Sequence, residues 1–101
     1  MTLHFEALWE KAEQLHQSSI NGETDASIAE ELTFKIDLYR DIAKKEGIPE
    51  EEMHALQSRL MGEILLTLTK LSLKDNVDVY QALSVAMQYR SIDHYATKYS
   101  T

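Results

Sequence analysis

Residues 60–73 read LMGEILLTLTKLSL, a helix-length apolar stretch whose only charged residues are Glu63 and Lys70. At roughly 100° per residue, Arg59, Glu63, Thr67 and Lys70 line up on one narrow stripe. Leu60, Met61, Ile64, Leu65, Leu66, Leu68, Leu71 and Leu73 cover the rest of the circumference. A helix apolar on most sides has to be buried on several of them, at the centre of a bundle or in an oligomer interface. The stripe is then either the one wet edge of that helix or an internal polar site. Charges at helical spacing are ordinarily a solvated face, so the second choice needs partners elsewhere in the chain.

Punctuation divides the chain into four helices, and three glycines and one proline leave little to interrupt them. The first is expected from Leu3 to about Ser18, with Leu3, Phe5, Leu8, Trp9, Ala12, Leu15 and His16 at core spacing. SSINGETD then breaks the pattern. Asn21-Gly22 is a turn dipeptide; Thr24, Asp25 and Ser27 are each competent caps, and Ser27 with Glu30 is spaced as a capping box. The second helix is expected to end near Glu46, where Gly47 supplies a left-handed cap. Pro49 suits the first turn of a third helix, and Glu50, Glu51 and Glu52 complement its positive dipole end. That helix continues to about Leu73. Asp75-Asn76 makes the next turn, and Asp78 caps a fourth helix that carries Tyr80, Leu83, Met87 and Ile92 inward and frays from Thr97. Short connections make consecutive helices antiparallel. The expected fold is therefore all-α, an antiparallel four-helix bundle forming one domain over residues 1–101.

Partners for the stripe come from the second helix. Ile28, Leu32, Ile36, Tyr39 and Ala43 form its apolar face, widened by Leu38 and Ile42, while Glu30, Asp37 and Asp41 gather on the opposite, solvated side. Glu31 and Lys35 sit i, i+4 inside the apolar arc. An unpaired charge there is costly, and Glu63 and Lys70 of the third helix offer the complementary charges. Two arrangements follow. Glu31, Lys35, Glu63 and Lys70 form an interhelical network satisfied internally, or the same residues hold a metal or a phosphate group.

Residues 62–83, GEILLTLTKLSLKDNVDVYQAL, resemble the third-to-fourth-helix segment of the MazG-like superfamily of all-α nucleoside triphosphate pyrophosphohydrolases. Gly62-Glu63 corresponds to the small residue and acid that open a hydrophobic helix, and Val77-Asp78-Val79-Tyr80-Gln81-Ala82-Leu83 to the restart after the turn. The resemblance implies a MazG-like bundle in which acids of a Glu-Glu-x-x-Glu motif and a Glu-x-x-Asp motif hold Mg²⁺. Hard divalent cations take several oxygen ligands, and acids three apart on a helix project to one side. The metals then bridge the nucleotide phosphates and activate water.

The motifs are incomplete. The first reads Glu30-Glu31-Leu32-Thr33-Phe34 and the second Leu60-Met61-Gly62-Glu63, so Phe34 and Leu60 replace two acids. Glu31 and Glu63 remain as metal ligands. Lys35 and Lys70 are the candidate substrate-binding residues, Lys70 standing where relatives carry a polar substrate contact and Met87 near the Asn that reaches the nucleotide. Phe34 and Leu60 on facing helices read as a wet site converted to packing, with Lys35 and Lys70 neutralising the two surviving acids in place of metal. The resemblance thus implies a divergent pyrophosphohydrolase-fold protein with lost or weakened activity, its cofactor Mg²⁺ if the site functions and none otherwise. An active enzyme would recruit further acids such as Glu30 or Asp37. The alternative outside nucleotide chemistry is a small acidic helical adaptor working through its apolar third helix.

Composition narrows the partners. The net charge of −7 provides no basic stripe for nucleic acid and suits a protein that binds divalent cations or stays soluble by self-repulsion. The N-terminus lacks the basic lead of a signal peptide, and no run approaches the roughly 20 apolar residues that span a bilayer. The absence of cysteine excludes thiolate chemistry and disulfide scaffolds and suits a reducing, cytoplasmic setting. His4, His16, His54 and His94 have no zinc spacing; His16 is expected at the edge of the core and the others at the surface. Tyr80, Tyr89, Tyr95 and Tyr99 cluster late, as tyrosines do at helix edges and interfaces. With the apolar third helix they make self-association credible, and the resemblance implies a homodimer or homotetramer.

Overall fold

The computed structural model describes the backbone of residues 2–99 and the side chains of residues 5–90. All regular structure among them is helical: α1 (Thr2–Gln17), a single 3₁₀ turn (Ile20–Gly22), α2 (Asp25–Ala43), α3 (Glu50–Asp75) and α4 (Val79–Tyr99). Leu3, His4, Ile92, His94, Tyr95 and Tyr99, assigned above to core, surface or interface, lie outside the described side chains. The α4 backbone continues past Thr97 to Tyr99.

The helix ends follow local chemistry, with two corrections. Thr24, extended at φ −107°, caps α2: its Oγ1 accepts the Ser27 N–H at 3.0 Å, and Ser27 Oγ accepts the Thr24 N–H at 3.0 Å. The capping box is therefore Thr24–Ser27, one turn before the expected Ser27–Glu30 pair. Gly47 is left-handed at φ 83°, but α2 ends at Ala43, where the Lys44 N–H closes onto the Asp41 and Ile42 carbonyls. Pro49 sits just before the first residue of α3 and Asn76, at φ 54°, just after its last. The Asn76 and Val77 N–H groups bond the Leu73 and Ser72 carbonyls at 3.3 and 3.0 Å, a Schellman-type stop. Asp78 caps α4 as expected, its Oδ1 accepting from the Tyr80 and Gln81 N–H groups at 2.9 and 3.1 Å.

The most extensive contact joins α2 to α3; α1 and the 3₁₀ turn also lie against α3. Trp9, Ile20 and Ile28 are the buried apolar residues, and Thr67 and Thr69 of α3 are buried with them. The amphipathic expectation for α3 is thereby inverted. Its polar stripe meets α2, while most of its leucines stay half-exposed. Both threonines satisfy their hydroxyls locally, Thr69 donating to the Leu66 carbonyl at 2.6 Å. His16, read as a core-edge residue, is half-buried, and its Nε2 is buried without a hydrogen-bond partner.

Much of the expected core remains open. Phe5, Leu8 and Leu15 of α1 and Ile36 and Leu38 of α2 are exposed. Tyr80 touches the body of the protein, its ring meeting Phe5 edge-on with centroids 6.3 Å apart. Every residue from Gln81 to Arg90 is exposed, so α4 does not carry Leu83 and Met87 inward. Three helices pack and the fourth, beyond its first turn, does not. The Cα radius of gyration is correspondingly 17.0 Å, against about 13 Å for a compact chain of 100 residues. No helix among the described residues is long and apolar enough to cross a membrane.

Candidate functional site

The four charged residues that periodicity places between the second and third helices do meet, because α2 and α3 run antiparallel with their polar stripes in register. Lys35 Nζ donates to Thr67 Oγ1 at 2.7 Å, to the Glu63 carbonyl at 3.3 Å and to Glu31 Oε2 at 3.4 Å. It also lies 3.5 Å from Glu63 Oε2. Lys70 Nζ lies 3.0 Å from both Glu31 Oε1 and Glu23 Oε2. Thr67 Oγ1 donates to Glu31 Oε2 at 2.8 Å, with the Glu63 carbonyl at 3.1 Å as a further acceptor. Arg59, at the start of the stripe, is exposed and outside the network.

Two participants carry no assigned role in the sequence pattern. Thr67 lies on the stripe, yet its hydroxyl is the hub of the buried end. Glu23 precedes α2 in a segment that reads only as a turn, so no helical period points to it. The 3₁₀ turn carries it to Lys70, with the Glu23 N–H bonded to the Ile20 carbonyl at 3.1 Å.

Electrostatics confirm where the charges settle. Desolvation pushes the Glu31 carboxyl up, but the hydrogen bonds from Lys70 and Thr67 and the charges of Lys70 and Lys35 outweigh it, and the carboxyl lies below its ordinary value of 4.5. Desolvation pushes Lys70 down, but its hydrogen bonds and ion pairs with Glu31 and Glu23 prevail, and it lies above its ordinary value of 10.5. Both groups are held in their charged forms.

That donor set does not suit the Mg²⁺ implied by the resemblance. A divalent cation needs several carboxylate oxygens free to turn toward it. Here both oxygens of Glu31 accept from ammonium or hydroxyl groups, and Glu63 shares Lys35. Among the described residues no group of three or more His, Asp or Glu side chains converges as a metal site. Glu30 is exposed, and Asp37 pairs with Arg40 at 3.4 Å, so neither supplies the missing ligands. Phe34 departs from expectation too: at 64% exposure it does not pack into the position of the absent acid.

A second polar cavity of about 590 Å³ lies between α1 and the α3–α4 turn, lined by Glu6, Glu10, Glu13, Asp78 and Tyr80 among others. Desolvation, then the charges of those acids, push the Tyr80 hydroxyl up from its ordinary value. Compared with family models, with curated proteins and with solved structures, the chain matches none.

Proposed function

We propose that this chain is a divergent MazG-like protein in which two ammonium groups occupy the functional place of the metal, leaving nucleoside triphosphate pyrophosphohydrolase activity lost or strongly weakened. The observation that carries the reading is the saturation of Glu31, whose Oε1 faces Lys70 at 3.0 Å and whose Oε2 accepts from Thr67 at 2.8 Å. Breaking such a pair to admit a cation would leave two lysines beside a divalent charge, which Coulomb repulsion opposes. In this proposal the protein is cytoplasmic, completes its helical bundle as a homodimer or homotetramer, and keeps the α2–α3 stripe as a structural relic of a catalytic site.

The test is a thermal melt of the purified chain with and without Mg²⁺ or Mn²⁺ across nucleoside triphosphates. Ligand binding to the native state alone would add about 2.7 kcal/mol at 100 times the dissociation constant. The expected result is no stabilisation that requires metal and nucleotide together. A shift that needs both and disappears in Glu31→Gln or Glu63→Gln would overturn the proposal and restore Lys35 and Lys70 as phosphate contacts.

A second reading, an acidic helical adaptor outside nucleotide chemistry, is favoured by one observation: large apolar side chains stand exposed on α1 and α4. Exposed apolar patches of this kind mark protein interaction surfaces. If self-association covers them, the adaptor reading loses its support.

A further inference from the structure

The chain exposes 8193 Å² of accessible surface. A compact monomer of 11.6 kDa exposes about 5,800 Å² by the size scaling of folded monomers. The surplus, roughly 2,300 Å² per chain, falls in the range that each partner of an obligate homodimer buries, about 1,000–2,500 Å². Two features supply it. One is α4, whose Tyr80, Ala82, Leu83, Ala86 and Met87 form a continuous apolar half opposite a polar stripe of Gln81, Ser84 and Gln88; Leu83 and Met87 are each 62% exposed. The other is a largely apolar groove of about 510 Å³ between α1 and α3, lined by Phe5, Leu8, Trp9, Ala12, Leu65 and Leu66.

We infer that α4 of one copy of this chain lies in the α1–α3 groove of a second copy, and reciprocally, so that the dimer exchanges its fourth helices. An apolar helix and an apolar groove on one chain would ordinarily join within it. The turn prevents this. The Schellman-type stop at Asn76–Val77 and the Asp78 cap hold both sides of a short connection, and Ser72 Oγ donates to the Val77 carbonyl at 2.7 Å. That clamp directs α4 away from its own groove. Charge also suits a second copy: from Val79 to Arg90 the helix carries no acid and one cation, Arg90, whereas α1 presents Glu6, Glu10 and Glu13. Gly62 lines the groove, and a Cβ built there meets nothing within 4 Å, so nothing in the single chain requires a glycine in mid-helix. A helix seated in the groove would. The arrangement is two-fold and self-complementary, as closed dimers are. It rests on the surface surplus and the two apolar faces, independent of the nucleotide proposal, and gives the expected self-association a specific surface.

The experiment is light scattering of the full chain at micromolar concentration, without metal or nucleotide, for the wild type, Leu8→Glu and Leu83→Glu. The expected wild-type mass is twice that of the chain. Each substitution enters a symmetric dimer twice. A hot-spot loss of about 30-fold at each site weakens association by about 1,000-fold. Leu83→Lys mixed with Leu8→Glu regains a dimer, because one exchanged contact then pairs Lys with Glu and the other is wild type; this rescue separates an interface effect from failure to fold. A monomeric wild type, an association unaffected by either substitution, or a mixture that stays monomeric overturns the inference.

Discussion

Replacing Lys70 by methionine keeps an unbranched side chain of similar length and removes one charge from the network. In the native protein that charge faces two carboxylates, Glu31 and Glu23, each at 3.0 Å. Lys70 is 14% exposed and its partners 32% and 25%, which places these pairs between two limits. Fully exposed pairs contribute about 0–1 kcal/mol, and breaking a fully buried one costs about 3–5 kcal/mol. The expected loss for Lys70→Met is about 2 kcal/mol at pH 7, lowering a urea midpoint by roughly 1–2 M.

The pH dependence has a definite sign. Glu31 is held below 4.5, so its contribution is present above that pH and is lost as pH falls through its folded value. Lys70 is held above 10.5, so its contribution is present below that pH and is lost as pH rises through its folded value. Without Lys70, desolvation of Glu31 loses its main opposition and the carboxylate takes up a proton more readily in acid. The penalty of Lys70→Met is therefore larger at pH 7 than at pH 4. Urea unfolding of the wild type, Lys70→Met, Glu31→Gln and the double variant, at fixed protein concentration and both pH values, reads the penalty and the coupling together. A coupling below about 0.5 kcal/mol, or a penalty that does not shrink in acid, would refute the reasoning.

Three other perturbations follow from the same coordinates. Thr67→Val keeps the volume of the fully buried side chain but deletes its bonds to Lys35 and Glu31; equilibrium unfolding is expected to show a loss of about 1.5–3 kcal/mol. Thr24→Ala removes the oxygen that accepts the Ser27 N–H, with an expected cost of about 1 kcal/mol in the same assay. The Asp75 carboxyl is pushed above its ordinary value of 3.8, first by hydrogen bonding with Asp25, then by desolvation and the Asp25 charge. An acid raised on folding favours the folded state at low pH and opposes it once ionised. Asp75→Asn is thus expected to raise the melting temperature at pH 7 and leave it unchanged near pH 3.

The helices and much of the candidate site were legible in the residues, because both depend on short-range rules. Asp78, Pro49 and Asn76 mark helix ends through their own backbone and side-chain chemistry. Glu31 and Lys35 on one helix, and Glu63 and Lys70 on another, share faces through periodicity alone. Once α2 and α3 are antiparallel neighbours, cost forces those charges together. The start of α2 was less legible because several residues in SSINGETD compete as caps, and the choice of Thr24 depends on where the chain enters the helix.

Tertiary structure decided what no local rule contains. The entry of Glu23 into the network depends on the 3₁₀ turn reaching α3, and Thr67 becomes its hub because the polar stripe, rather than the leucine face, meets α2. The fate of α4 is the largest such decision. Its sequence states that one face is apolar, but a helical period cannot specify what that face meets. The Asn76–Asp78 turn fixes the direction in which the helix leaves α3, and with it whether Leu83 and Met87 find their own chain. The residues of this chain determined four helices and one set of complementary charges. Only the packing of those helices determined that the charges close upon themselves while an apolar helix stays open, because hydrophobic attraction has no direction and the geometry of the connections supplies one.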